Sequence, residues 1–311
     1  MFAIFLTTAP LYLMILIGFA SVRTGYVEAG HIGALSQFAF RICLPVLIFM
    51  AIALPRGAGV LNLSFMAAYG LGSMTTMGLG FAAARIILRR PGAESWILAL
   101  GMSNSNSGFI GFPVASLFFG PEAAVVFAMT MLIENTLTLP FATIAASASG
   151  GKAARLRDLA FRSLRAIIRN PLVIAVVLAL AVRLAGIPLA DTFQDAVRML
   201  AAVAAPLALF VVGGTVARTP VSGHWRRTAA VSVGKLVVHP VLVAAMLLLV
   251  PGVPPALIPV GILFAAVPML TIYPILATPF GLGTVTATAL VVTTVLSSVT
   301  ISLVLTLLPG L

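Results

Sequence analysis

Apolar residues run along this chain in ten long stretches separated by short polar connections. The stretches cover about 2–22, 31–54, 61–88, 95–119, 122–147, 171–186, 192–217, 227–250, 255–280 and 284–308. Their lengths are close to the roughly 20 residues that an α-helix needs to cross a bilayer, and they lack the alternation of a β-barrel strand. The pattern therefore predicts an all-α integral membrane protein with ten transmembrane helices.

Composition supports this prediction. Of 311 residues, 61% are hydrophobic and 8% are charged, with a mean hydropathy of +1.18, whereas soluble proteins carry roughly 25% charged residues. No basic segment or cleavage pattern precedes Arg23, so residues 2–22 are expected to be a retained first span. A lone Cys43 and three scattered histidines offer neither a disulfide nor a zinc site, and no metal or cofactor is expected.

Basic residues lie mainly on one side of the predicted membrane. The connections after the first, third, fifth and seventh stretches contain Arg23, Arg85, Arg89, Arg90, Lys152, Arg155, Arg157, Arg162, Arg165, Arg169, Arg218, Arg226 and Arg227, whereas the opposite side has Arg56 and Arg183. Positive loops are cytoplasmic, so both termini are expected to be non-cytoplasmic in a bacterial inner membrane. The net charge of +11 then reflects topology rather than nucleic-acid binding. The basic loop 148–170 is expected to be a cytoplasmic linker that forms an ordinary amphipathic surface helix.

A polar segment interrupts the middle of the fourth stretch. Residues 103–113 read Ser-Asn-Ser-Asn-Ser-Gly-Phe-Ile-Gly-Phe-Pro. Asn and Ser compete for backbone hydrogen bonds and proline removes a donor, so the helix is expected to break and resume here. Broken membrane helices often form the binding sites of secondary transporters, although a kinked helix packed by small residues is an alternative. The substrate-binding candidates here are Asn104, Ser105, Asn106, Ser107, Gly108, Gly111 and Pro113.

The sequence also contains an internal repeat. At an offset of 161 residues, Pro10 aligns with Pro171, Gly25 with Gly186, Pro45 with Pro206, Phe49 with Phe210, Pro113 with Pro274, and Phe119-Gly120 with Phe280-Gly281. Each repeat contains five spans, an odd number, so the second must enter the membrane with the opposite orientation. We therefore expect two inverted five-helix repeats, 1–147 and 171–311, joined by the linker.

The repeat places a second interruption in the ninth stretch. Pro113 aligns with Pro274, which follows Pro268 by six residues, so helices 4 and 9 are both expected to break and to cross near the midplane. The N-terminal ends of the half-helices carry partial positive charge and favour anions. Thr271, Tyr273 and Pro274 join the substrate-binding candidates, and small anions are the expected substrates.

Few ionisable residues lie deep in a span. Glu134, followed by Asn135, is the only deep carboxylate, and burying it as an ion costs about 3 kcal/mol. It is expected to be protonated or neutralised, and to couple protons or coordinate a cation. Arg41 either pairs with it or binds a substrate carboxylate. Lys235 and His239 are one helical turn apart and are coupling or supporting candidates, although His239 also has the simpler role of satisfying a carbonyl freed by Pro240.

An intramembrane enzyme is not expected. An aspartyl protease needs two membrane carboxylates, and a rhomboid-like serine site needs a Gly-x-Ser-Gly loop; neither is present. A passive channel or uniporter is the main alternative to a carrier, because midplane polar residues suit both. The inverted repeat favours a carrier with alternating access.

The segment Asn106-Ser107-Gly108-Phe109-Ile110-Gly111-Phe112-Pro113 resembles the asparagine-glycine-phenylalanine-glycine-proline stretch of the auxin efflux carrier family. Further matches are Leu44-Pro45-Val46-Leu47-Ile48-Phe49, Asn170-Pro171-Leu172, Ala205-Pro206-Leu207-Ala208-Leu209-Phe210-Val211-Val212-Gly213, and Lys235 with His239-Pro240. The short central loop is similar to that of the bacterial branch, which includes malonate and malate carriers.

This resemblance implies a fold similar to that of the bile-acid sodium symporters. It implies a scaffold domain of helices 1, 2, 6 and 7, a transport domain of helices 3–5 and 8–10, and an elevator-type motion. The expected substrates are mono- or dicarboxylates or auxin-like acids, and a cation-coupled symporter is a less favoured alternative. A homodimer formed through the helices that contain Pro45 and Pro206 is a further hypothesis.

Overall fold

The computed structural model describes residues 2–54, 61–149, 156–219, 221 and 224–307, without the side chains of 2–6 and 156–160. All regular elements of these residues are helical. The α-helices are α1 Phe2–Arg23, α2 His31–Phe38, α3 Leu44–Ala53, α4 Leu63–Ile86, α5 Gly92–Ser103, α6 Phe112–Phe119, α7 Pro121–Ile133, α8 Leu139–Ser149, α9 Leu156–Ile168, α10 Pro171–Leu184, α11 Asp191–Ala217, α12 Trp225–Val233, α13 His239–Leu249, α14 Ile258–Ala266, α15 Tyr273–Ala277 and α16 Gly283–Leu307. Short 3₁₀ turns occur at Pro255–Leu257 and Thr278–Phe280. Of the expected linker, 150–155 lies outside the described residues, and α9 forms most of the remainder.

Five helical segments of the described chain are long and apolar enough to cross a membrane. A sixth is added if α9 and α10, which meet at a bend of 55°, form one span. The prediction of an all-helical membrane protein is confirmed at this level. The other apolar stretches of the sequence include two interrupted helices and the 14-residue α10, which is short for a span, so the count of ten remains a prediction.

The described residues contain four π-helical turns, three within otherwise continuous helices and one directly after a break in a helix. They are Ala39–Cys43, Ser107–Gly111, Glu134–Thr138 and Gly234–Val238. In each, the next residue donates its N–H to the carbonyl five positions earlier, and a proline follows one residue later, at 45, 113, 140 and 240. A proline ring clashes with the carbonyl four residues before it, and the wider π turn relieves that clash. Each turn contains one of the polar candidates Arg41, Ser107, Glu134 and Lys235.

Two helices are interrupted by extended or irregular backbone. The first break, residues 104–106, separates α5 from the π turn that leads into α6. The second break, residues 267–272, separates α14 from α15. The breaks contact each other directly, because the Asn106 amide donates to the Pro268 carbonyl at 2.8 Å. The sequence-based prediction of two breaks that meet is therefore reproduced in the backbone.

Helix packing falls into two sets of neighbours. Helix α1 packs most extensively against α11, and α3 against α10, whereas α4 packs against α5 and α13. The α1–α11 contact depends on glycines at Gly18 and Gly213, since a Cβ atom would lie 2.1 Å from the Phe210 carbonyl oxygen at one and 1.9 Å from that of Ile15 at the other. Small residues let membrane helices approach at backbone distance. This pair is consequently intolerant of any larger side chain at the two glycines.

Local backbone features recur at the 161-residue offset. Helix α1 ends at Arg23 and α10 at Leu184, and α6 begins at Phe112 and α15 at Tyr273. The aligned glycines share left-handed backbone: Gly25 and Gly186 have φ of 78° and 62°, and Gly120 and Gly281 have φ of 54° and 72°. Glycine adopts this conformation without the steric cost other residues meet. The helix ends therefore repeat, while the inverted orientation of the halves stays a prediction.

Candidate functional site

A cavity of about 840 Å³ lies beside the first break. Its wall is formed by the first break and the following π turn, by the end of α2 with its π turn, by the end of α7 with its π turn, which includes Glu134 and Asn135, by the α9–α10 bend, and by residues 270–272 of the second break. Of the substrate-binding candidates, it brings together Arg41, Asn104, Ser105, Asn106, Ser107, Gly108 and Thr271. The predicted polar stretch therefore does border a space large enough for a small solute, since ligand pockets commonly measure roughly 300–1,000 Å³.

Glu134 lies at the edge of this cavity and is only 4% exposed. Its Oε1 accepts hydrogen bonds from the Ser107 hydroxyl at 2.7 Å and from the Ser105 amide at 3.3 Å. The carboxylate thus sits where the chain turns back into helix, a position at which backbone N–H groups favour an anion. We expected a bound solute to use this helix start, but the protein's own carboxylate occupies it.

Lys235 is fully buried beside the first break and does not line the cavity. Its ammonium donates to the Ser105 hydroxyl at 2.8 Å, to the Ala265 carbonyl at 2.6 Å and to His239 Nδ1 at 2.8 Å. An ammonium has three hydrogens, so all three find an acceptor. Because Ala265 is in the last turn of α14, the cation also lies at the negative end of that helix.

His239 completes this buried network. Its Nε2 lies 3.0 Å from the Ser73 hydroxyl of α4, and Nδ1 accepts from Lys235, so the neutral ring carries its proton on Nε2. The ring of Tyr69 packs edge-on against it at 6.1 Å. The side chains within hydrogen-bonding distance of His239 are Lys235 and Ser73, and the backbone of Ala265 also lies within reach of the ring.

Asn106 ties the two breaks together with its side chain as well as its backbone. Its Nδ2 donates to the Thr271 hydroxyl at 2.8 Å. Asn104, two residues earlier, behaves differently: it is 2% exposed, and its Oδ1 has no hydrogen-bond partner among the described residues. A buried acceptor without a partner is unusual in a folded protein, and because Asn104 also lines the cavity, its amide is a candidate contact for a solute.

Arg41 and Arg169 supply positive charge to the cavity. Both side chains are exposed within it, and neither takes part in an ion pair in the described part of the chain. The pairing of Arg41 with Glu134 that the sequence left open is therefore absent, because Arg41 faces the cavity while Glu134 is held by two serines. Guanidinium groups bind carboxylates in bidentate fashion, so these two arginines are the natural contacts for an anion.

Several predicted site residues support the breaks without lining the cavity. Gly111 packs against the Phe264 ring, which a Cβ atom would approach to 2.8 Å. Tyr273 is fully buried, and its hydroxyl donates to the Ile97 carbonyl at 3.0 Å. Pro113 and Pro274 occupy the first turns of α6 and α15. These four residues shape the broken helices and do not border the cavity.

Asn135 joins the fifth stretch to the start of the sixth. Its Oδ1 accepts from Asn170 Nδ2 at 3.0 Å, and Asn170 in turn caps α10 by accepting from the Leu172 amide at 2.9 Å. Asn170 and Arg169 both line the cavity. From the sequence, Asn170 was identified only as part of a family motif, and Arg169 only as one of the basic residues that indicate membrane orientation. The position of these two polar residues directly before Pro171, at the start of a predicted span, was the feature of the sequence that could have indicated their place in the site.

Comparison with known proteins agrees with this architecture. A family model described as "Membrane transport protein" matches residues 3–305. The chain belongs to this membrane transport family. The resemblance to the auxin efflux carriers is thereby confirmed.

Two curated relatives of this membrane transport protein span different shares of its length. A "Putative malonate transporter" of Rhizobium meliloti (strain 1021) is 25% identical over 294 residues, which is 94% of this chain and 92% of the relative. An "Uncharacterized transporter" of Methanothermobacter thermautotrophicus is 25% identical over 156 residues, 48% of this chain and 50% of the relative. The first match extends over both breaks and the cavity.

Proposed function

We propose that this protein is a secondary carrier that moves small organic anions, dicarboxylates foremost, across the bacterial inner membrane. The observation that carries the proposal is the cavity in which Arg41 and Arg169 face the polar first break. Two guanidinium groups suit a molecule with two carboxylates, since each binds one in a bidentate manner. The malonate transporter named among the relatives supports the same substrate class.

The structure favours a carrier over a passive channel. Lys235, His239 and Ser73 are 0%, 0% and 1% exposed and do not line the cavity. Asn106 donates hydrogen bonds to the second break, and Lys235 joins the first break to the end of α14. We infer that a solute in the cavity passes onward only when these packed elements rearrange.

The buried network also bears on ion coupling. Sodium is bound by oxygen ligands such as freed carbonyls and hydroxyls, and the Ala265 carbonyl and Ser105 hydroxyl already hold the Lys235 ammonium. Because the Lys235 ammonium already uses these oxygen atoms, they are not free to bind a coupling sodium ion. Glu134 borders the cavity and is buried, so we assign it the role of taking up and releasing a proton during transport.

The larger architecture follows from the same proposal. Helix α1 packs against α11, and α3 packs against α10. These helices belong to the predicted spans 1, 2, 6 and 7, so their packing is consistent with a scaffold domain formed by those spans. The packing of α4 with α5 and α13 is consistent with a separate transport domain. We infer ten spans in two inverted repeats, termini outside the cytoplasm, and an elevator-type displacement of the crossed breaks. The helices that contain Pro45 and Pro206 are our candidates for a homodimer contact.

Counterflow in proteoliposomes tests the proposal. Vesicles loaded with unlabelled malonate should accumulate labelled malonate with saturable kinetics, and they should exclude propionate, which has the same chain length and one carboxylate fewer. Arg41→Gln and Arg169→Gln should each weaken malonate binding by about 10- to 100-fold, as expected for a lost charged hydrogen bond. Arg162→Gln, on the exposed face of α9, is the matched control. Transport that never saturates, or variants that match the control, would contradict the proposal.

A further inference from the structure

A second cavity of about 730 Å³ lies between the end of α4 and the start of α12. It is lined by residues 86–90 and 224–227 and shares no residue with the cavity beside the first break. Both lining segments belong to connections that the distribution of basic residues places on the cytoplasmic side. The second cavity is thus a separate feature at one membrane face.

The second cavity is strongly basic. Arg89, Arg90, Arg226 and Arg227 all line it, together with His224. Neither ion pair found in the described residues involves them, and only Arg90 uses part of its guanidinium internally, by donating Nε to the Leu88 carbonyl at 3.0 Å. Like charges gathered in one cavity repel each other unless an anion lies between them. The arrangement therefore calls for an anionic ligand with several acceptor oxygens, such as a phosphate group.

Apolar side chains beside the arginines indicate where that phosphate group comes from. Ile86, Ile87 and Trp225 line the same cavity and are 74%, 69% and 57% exposed. Trp225 begins the candidate span Trp225–Leu249, and tryptophan at the end of a span marks the headgroup level of the bilayer. A soluble phosphate gains nothing from exposed isoleucines, whereas a lipid presents its phosphate and its acyl chains together.

We propose that the second cavity binds the phosphodiester headgroup of an anionic phospholipid, such as phosphatidylglycerol, from the cytoplasmic leaflet. The guanidinium groups contact the phosphate oxygens, and Ile86, Ile87 and Trp225 contact the upper acyl chains. Because α4 contributes Ser73 and the helix that starts at Trp225 leads to Lys235, the bound lipid holds together two elements that also carry the buried network.

Fluorescence of Trp225 provides the test. The sequence has two tryptophans, and Trp96 is stacked on Phe81 at 4.0 Å, so Trp96→Phe retains an aromatic ring there and leaves Trp225 as the single emitter. In phosphatidylcholine nanodiscs, brominated phosphatidylglycerol should quench this emission at a far lower mole fraction than brominated phosphatidylcholine. Adding Arg226→Gln and Arg227→Gln should reduce that preference roughly thirty-fold, about fivefold for each guanidinium.

Controls separate this site from general charge attraction. Arg162→Gln with Arg165→Gln removes two exposed charges from α9, on the same side of the membrane, and should keep the preference. If the variant with both changes at 226 and 227 does not fold, Arg89→Gln should still lower it about fivefold. Equal quenching by the two lipids, equal loss in the α9 control, or displacement of the lipid by millimolar inorganic phosphate would each overturn the proposal.

Discussion

The two breaks precede the aligned prolines Pro113 and Pro274 but contribute different chemistry. The first break is built of polar side chains, whereas the second reads Val-Pro-Met-Leu-Thr-Ile and offers mainly backbone carbonyls with one hydroxyl, that of Thr271. The first borders the cavity over its whole length, and the second does so only at 270–272. A helix can therefore break without a run of polar side chains, and the polar break is the one that lines more of the cavity.

A buried ionisable side chain also lies at each break, and the sign of its charge is opposite to the partial charge of the helix end there. Glu134 accepts from the Ser105 amide and the Ser107 hydroxyl, where a helix resumes. Lys235 donates to the Ala265 carbonyl, where α14 ends. Helix ends stabilise charges in this sense. Ser105 contacts both charged groups, so the two breaks form one electrostatic unit, and its parts can be tested separately.

The largest effect is expected for Lys235→Met, which removes the link between the first break and the end of α14. The Ser105 hydroxyl, the Ala265 carbonyl and His239 Nδ1 would all lose their donor, and Glu134 would lose its nearby buried cation. Breaking a buried charged cluster from one side costs about 3–5 kcal/mol. Thermal unfolding in detergent should therefore show a Tm well below that of the exposed control Arg162→Gln. Equal Tm values would mean that the ammonium does not hold the crossing.

Glu134→Gln should change function more than stability. The glutamine carbonyl can still accept from Ser105 and Ser107, so the first break should keep its shape, but it can no longer bind and release a proton. Malonate counterflow should persist, while uptake driven by a pH gradient should be lost. Glu122→Gln, at the start of the same span, provides the control. Gradient-driven uptake that survives in a well-folded Glu134→Gln protein would remove this carboxylate from the coupling step.

Smaller effects should distinguish the two asparagines of the first break. Asn106→Ala removes the bond to Thr271 and should lower the free energy of unfolding by about 1 kcal/mol. Thr271→Val should cost a similar amount, and the double variant little more, because both changes remove one interaction. Asn104→Ala removes an amide whose Oδ1 has no described partner and whose Nδ2 can donate to a carboxylate, so stability should be unchanged and malonate affinity should fall about fivefold to tenfold. Matching stability losses at 104 and 106 would contradict this assignment.

Sequence reasoning predicted the breaks because their causes are local. The run of Asn and Ser at 103–107 and the prolines at 113, 268 and 274 disturb a helix whatever surrounds them. The cavity lining at the first break and at Thr271 followed from the same residues and the repeat. The depth of Glu134 likewise identified it as a residue with an unusual environment.

The partners of these residues depended on the fold and were not predictable. Whether Glu134 pairs with Arg41 or with serines is decided by which groups the crossing brings together, and the crossing involves residues more than a hundred positions apart. Lys235 was expected to share a face with His239, which it does, but its bond to Ala265 could not be derived from helical periodicity. Arg169 reaches the cavity only because α9 and α10 meet at a bend.

The four π turns have a consequence for how the chain tolerates changes in length. A π turn contains one residue more than the α-helix around it requires, and the turns Ala39–Cys43, Glu134–Thr138 and Gly234–Val238 lie directly between two α-helical segments. Deleting one residue within Glu134–Thr138 would therefore restore ordinary helix there. The change would be concentrated at that turn, because the wide turn is what accommodates the extra residue. Insertions and deletions, usually confined to loops, thus have internal sites here at which they would alter the surroundings of Glu134 and leave the connections between helices intact.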